Sequence, residues 1–215
     1  MQTVIFDMDG VIIDSEPFYR RVETEFFAHK GVPVQAEQLD QFIGAPSRAY
    51  WQGIGHMFPD WDADALRAEY KIFRTQYPCA YRDMLNPGVI PLLESLKAHG
   101  VMTAVASSSS VGTIQKVLAD CGIARYYDVI AGGDEVPLGK PDPGVFLLAA
   151  RRLHASPRDC VVIEDSGNGI LAAKAAGMKV IAKRHPDFAQ DISGADAQVL
   201  SLEEVSLSLI ESMLK

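Results

Sequence analysis

Asp7 and Asp9 stand two residues apart in DMDG, directly after Val4-Ile5-Phe6, an apolar run that reads as a buried strand. Alternate strand residues share a face, so the two carboxylates point the same way and repel each other. Two further acids, Glu164 and Asp165, follow a second apolar run, CVVI. Four carboxyl groups gathered at one rim need a cation or protons to offset them. An all-oxygen ligand set suits a hard cation, and Mg²⁺ commonly uses one or two carboxylates together with phosphate oxygens. Asp7, Asp9, Glu164 and Asp165 are therefore the expected Mg²⁺ ligands.

Two other segments add the means to hold a phosphoryl group. The serine run Ser107–Ser110 closes the apolar stretch VMTAVAS and precedes a helical pattern, where N–H groups and hydroxyls face an incoming anion. Ser107 and Ser108 are the phosphate-binding candidates, whereas Ser109 and Ser110 read as loop or cap residues. Lys140, in GKPDPGVF, places an ammonium in a loop stiffened by two prolines. Together these parts suit phosphoryl transfer to a carboxylate. Asp7 would attack phosphorus, and Asp9 would serve as general acid and then general base. Taken singly, each has a plainer reading: Asp165 could cap the helix that begins near Gly167, and a loop lysine is usually solvated. The set at successive strand ends carries the argument.

The elements that must position these residues follow from periodicity. After the first strand, Thr3–Asp9, comes a helical stretch from Ser15 to about Lys30, with Phe18, Val22, Phe26 and Phe27 about a turn apart. Helices are also expected over Glu37–Ile43 and Asp62–Tyr77, with no convincing strand between Glu16 and Met84. Beyond Asn86-Pro87-Gly88 the pattern alternates: helix Val89–His99, strand Met102–Ser107, helix Val111–Cys121, strand Asp128–Ala131, helix Pro143–Leu153, strand Cys160–Glu164, helix Gly167–Ala176 and strand Lys179–Ala182. Pro143 reads as the first helical residue. Such alternation predicts an α/β fold, a doubly wound parallel sheet with active groups at the carboxyl ends of its strands. Residues 1–14 and 87–215 are expected to form that core, and residues 15–86 an inserted α-helical cap hinged at the two junctions.

DMDG, the serine after VMTAVAS, KPDP and VVIEDSGNGI, in this order, resemble the haloacid dehalogenase (HAD) superfamily in its phosphatase-like branch, across essentially the whole chain. The resemblance implies that Asp7 is the nucleophile and Asp9 the acid/base, with the Asp9 backbone carbonyl also reaching Mg²⁺. It further implies that Ser107 and Lys140 bind the transferring phosphoryl group, and that Asp165 binds the metal with Glu164 as ligand or close partner. Within this branch the chain is similar both to sugar-phosphate phosphatases and to beta-phosphoglucomutase. The mutase pattern has a histidine where this chain has Tyr19, and an arginine three residues after a cap glycine, whereas Gly44 and Arg48 are four apart. DSEP and EDSGNG look more like the phosphatases. The expectation is a phosphatase of a small phosphorylated metabolite, a sugar phosphate in particular, with beta-phosphoglucomutase as the alternative. Gly44 and Arg48 are substrate-binding candidates, Arg48 either gripping the distal phosphate or carboxylate of a substrate or standing as a solvated surface residue, with Lys71 and Arg74 as weaker candidates of the same kind. Tyr19, Trp51 and Phe58 either line a cap pocket or belong to its core.

Composition sets the outer bounds. A net charge of −8, from 28 acidic and 20 basic residues, argues against a nucleic-acid or anionic-membrane partner. No stretch approaches the apolar length of a membrane span, so a cytoplasmic enzyme is expected, working as a monomer on a small molecule. Cys79, Cys121 and Cys160 are too scattered for a metal site. The five histidines, His185 among them, receive no role. The presence of Asp7, Asp9, Lys140 and Asp165 together argues against a non-catalytic binding module, and the acidic cluster argues against a metal-free dehalogenase.

Overall fold

A computed structural model describes residues 2–32, 34, 38–39, 47–58, 60–187 and 190–215. Residue contacts divide the chain into two compact units, Met1–Asp14 with Tyr81–Lys215, and Ser15–Ala80. In the first unit six parallel strands form one sheet in the order β3-β2-β1-β4-β5-β6. They are β1 (Thr3–Phe6), β2 (Met102–Ser107), β3 (Val129–Gly132), β4 (Cys160–Glu164), β5 (Lys179–Lys183) and β6 (Ala197–Val199). β1 lies between β2 and β4, with Phe6 level with Val105 and Ile163. A strand with neighbours on both edges and helices on both faces meets no water, which is why β1 reads TVIF without alternation and is buried throughout.

The helices of this unit are α4 (Val89–Ala98), α5 (Val111–Asp120), α6 (Gly144–Arg152), α7 (Gly167–Ala175) and a short α8 (Leu207–Met213). Each of α5, α6 and α7 follows a strand, as parallel pairing requires. On one face, Val145, Phe146 and Ala149 of α6 and Ile170 and Ala173 of α7 pack with Ile5, Ala104 and Val162 from the sheet. Because every strand runs the same way, the residues after β1, β2, β3 and β4 emerge along one edge.

The remaining unit is helical: α1 (Glu16–His29), α2 (Ser47–Met57) and α3 (Ala63–Arg74), with no strand among its described residues. Its centre is aromatic. The Phe26 ring meets Trp51, Tyr70 and Phe73 edge-on at 6.2, 5.5 and 5.4 Å, and Phe58 tilts against Trp61 at 5.2 Å. Asp62 caps α3 by accepting the Ala65 N–H at 2.7 Å. The helix expected over Glu37–Ile43 lies outside the described residues except for residues 38–39. No helix among the described residues is long and apolar enough to cross a membrane.

Several boundaries differ from the sequence expectation. The second junction falls at Ala80/Tyr81, before Asn86-Pro87. The reason is pairing: the Asp14 N–H donates to Met84 C=O at 2.7 Å, the Asn86 N–H donates to Ile12 C=O at 2.9 Å, and Ile13 bridges Leu85. Residues 81–86 therefore belong to the sheet-bearing unit. Pro143 is the N-cap of α6, one residue before the helix begins. β6 and α8 were not anticipated, since three and seven residues are too few to display a period.

Candidate active site

Asp7 follows β1, and its N–H still bonds the Ile163 C=O at 2.9 Å, so the nucleophile candidate is held by the centre of the sheet. Its side chain is 9 % exposed. Lys140, from the loop before α6, brings its Nζ to 2.5 Å from Asp7 Oδ1 and 2.8 Å from Glu164 Oε1. The same ammonium sits 4.6 Å from the centre of the Phe146 ring, within cation–π range. Burial raises the Asp7 carboxyl to about 8, with Lys140 opposing the shift and Glu164 and Asp9 adding to it. One buried ammonium does not offset the burial together with two nearby carboxylates. Burial on its own would lower Lys140, but Asp7 and Glu164 outweigh it and hold this ammonium above the ordinary lysine value.

Glu164 ends β4, and its oxygens are already engaged. Oε1 takes Lys140, and Oε2 takes the N–H groups of Asp165 and Ser166 at 2.7 and 2.6 Å and the Ser166 hydroxyl at 3.0 Å. It anchors both Lys140 and the turn that carries Asp165. That packing requires a glycine: a Cβ at Gly169 would run into the Glu164 carboxylate. A Cβ at Gly10 would likewise strike Asp165 Oδ2, and Gly10 has φ +80, so the DMDG turn lies directly against the Asp165 side chain. Ser166, and not Asp165, caps α7, by accepting the Gly169 N–H at 3.1 Å.

Oxygens of Asp7, Glu164 and Asp165 lie within 4.8 Å of one another. This all-oxygen set, with glycines allowing close approach on two sides, fits a hard divalent cation. Asp9 stands apart from that trio. It is half-buried and accepts a hydrogen bond from the Ser109 hydroxyl at 3.3 Å, so the two aspartates of DMDG occupy unlike environments. Ser107 is 1 % exposed, and its hydroxyl accepts the Ser109 N–H at 3.0 Å. Ser108 is exposed with its backbone pressed against Gly133, and Ser110 caps α5.

The remaining candidates fare differently. Gly44 and the Arg48 side chain lie outside the described residues, Arg48 falling in the first turn of α2. Lys71 is exposed. Arg74 stacks over the Tyr19 ring at 5.1 Å. Trp51 is 4 % exposed and belongs to the aromatic core of the helical unit. Sequence reasoning assigns Ser109, whose partner Asp9 is 100 positions away, only a loop or cap role, and passes over Asn86. The Asn86 amide donates to the Gly10 and Val11 carbonyls at 3.1 and 2.9 Å. Its place in an Asn-Pro-Gly turn signal was the available hint, and it suggested punctuation only.

A family model described as haloacid dehalogenase-like hydrolase matches residues 1–177. A phosphorylated carbohydrates phosphatase of Thermotoga maritima is 34% identical over 184 residues, 84% of each chain. A fructose-1-phosphate phosphatase of Escherichia coli is 36% identical over 183 residues, 83% of this chain and 94% of the relative. Among solved structures, a beta-phosphoglucomutase from Clostridium difficile superposes with a TM-score of 0.82 over 100% of this chain and 97% of that one. At 21% identity that likeness speaks to the fold alone.

Proposed function

The chain belongs to the haloacid dehalogenase-like hydrolases, and on that premise we propose that it is a Mg²⁺-dependent phosphatase of a small phosphorylated metabolite, a sugar phosphate in particular, working through a phosphoaspartate. The observation that carries this reading is the buried Asp7, gripped by Lys140, with oxygens of Asp7, Glu164 and Asp165 within 4.8 Å of one another. Mg²⁺, when bound, supplies the positive charge that lets Asp7 and a substrate phosphate approach each other. Asp7 and Asp165 would hold it, with Glu164 acting chiefly as the anchor of Lys140.

The protein's own groups divide the remaining work. An Asp7 oxygen attacks phosphorus while the P–O bond to the sugar breaks, and Asp9 gives its proton to the departing oxygen. Asp9 then takes a proton from water as that water attacks the phosphoaspartate, releasing phosphate and returning Asp7. The half-buried Asp9 with its Ser109 partner suits proton exchange better than the enclosed Asp7 does. Lys140 and the Ser107–Ser109 turn offset the charge on the phosphoryl oxygens. Substrate choice is assigned to the helical unit, residues 15–80, including Arg48.

Purified protein with Mg²⁺ and a panel of phosphorylated metabolites, fructose 1-phosphate among them, tests the reading by phosphate release. Release that is lost on chelation and in Asp7→Asn is the expected result. Release indifferent to both overturns the mechanism. Beta-glucose 1-phosphate with a trace of the bisphosphate separates the mutase, which would yield more glucose 6-phosphate than free phosphate.

A further inference from the structure

β5 runs to Lys183, one residue past the point where Ala182 lies level with Glu164, which brings Lys183 to the edge of the site. Its ammonium is not at the surface: the residue is 5 % exposed. Among the described residues its one hydrogen bond goes to a neutral acceptor, the Gly10 carbonyl, at 2.9 Å. Burying a lysine for so little would be wasteful if packing were its only purpose, because a methionine of similar volume avoids the desolvation. The negative charges of Asp165 and Asp14 lie close enough to favour the ammonium, though burial still lowers its pKa on balance.

The acceptor it has found is specific. Gly10 directly follows Asp9 and is the residue whose Cα lies against Asp165. Its carbonyl also receives the Asn86 amide at 3.1 Å, so two donors fix the orientation of that peptide. The same β5 exit holds the far end of the segment as well. His185 Nδ1 accepts the Asp187 N–H at 3.1 Å, which leaves the proton on Nε2, 3.3 Å from Asp14 Oδ1. Lys183 and His185 thus grip Gly10 and Asp14, the two ends of the turn that follows the catalytic aspartates.

We propose that Lys183 is a positioning residue of the phosphoryl-transfer site, which pins the Gly10 peptide against Asp165 and thereby sets both the metal-binding carboxylate and Asp9. This rests on the phosphatase reading for its catalytic consequence but not for its metal-binding one. Lys183→Met keeps the volume and removes the donor. Mn²⁺ binding, read from the loss of the free-ion paramagnetic resonance signal, needs no substrate and so stands apart from the phosphatase assay. The expected result is an about tenfold weaker Mn²⁺ dissociation constant, with the metal-free melting temperature at or above that of the natural protein. Where a substrate is turned over, kcat falls about tenfold with KM within twofold. Should the methionine variant not fold, Lys183→Gln, too short to close the 2.9 Å contact, carries the same expectation. Mn²⁺ binding as tight as or tighter than in the natural protein, or no Mn²⁺ binding by the natural protein, overturns the inference. Absence of phosphate release with the Mn²⁺ difference intact overturns only the phosphatase reading.

Discussion

Lys140 divides its ammonium between Asp7 and Glu164, and removing it leaves two buried carboxyls without that partner. Lys140→Met should therefore lower metal-free stability at pH 8 by about 3 kcal/mol. The loss should shrink at pH 5, where Asp7, with its value raised to about 8, already holds a proton. Urea unfolding at the two pH values measures both. A second raised carboxyl lies in the helical unit: Glu23 is lifted to about 7 by burial, against the pull of nearby Tyr50 and Arg20. A folded value above the unfolded one stabilises fully below about pH 4.5, and that contribution is lost as the pH rises through about 7. Glu23→Gln should match the natural protein at pH 5 and melt several degrees higher at pH 8, by calorimetry. Neither effect could be read from sequence, because Glu23 sits among α1 residues that resemble any solvated helix face.

At the scale of elements, the strand-end acids were legible because a parallel sheet puts every carboxyl end on one edge, and the apolar runs VIF and CVVI mark where two strands stop. The way the acids are partitioned was not legible. That Glu164 is consumed by Lys140, Asp165 N–H and Ser166 depends on α7 lying close enough to β4 to touch it, and Gly169 is what permits this. Gly169→Ala should cost about 1–3 kcal/mol of stability through overpacking and weaken Mg²⁺ binding as the Glu164 carboxylate is pushed aside. Thermal melting and metal titration report the two separately. β6 went unread for a different reason: three residues of an edge strand bury only Val199, too little to leave a pattern in the sequence.

For the whole molecule, charge and metal are coupled. The stability that Asp7 draws from its proton is present at low pH and lost as the pH rises through about 8, and a bound cation would take the proton's place. Millimolar Mg²⁺ should thus raise the melting temperature by several degrees at pH 8 and scarcely at pH 5, and chelation should reverse it. The change of period after Asn86 leaves a mark in the sequence, whereas the pairing of residues 81–86 with 12–14 does not, since it is formed by backbone groups. That pairing has an evolutionary reading. Because Asp14 and Met84 already touch through a 2.7 Å hydrogen bond, the chain leaves the sheet-bearing unit and re-enters it at almost the same place. Everything between is a graft on a closed stem. On the proposed function, a lineage could exchange, enlarge or discard residues 15–80 while Asp7, Lys140 and Asp165 keep their places, and so acquire new substrates without rebuilding the chemistry.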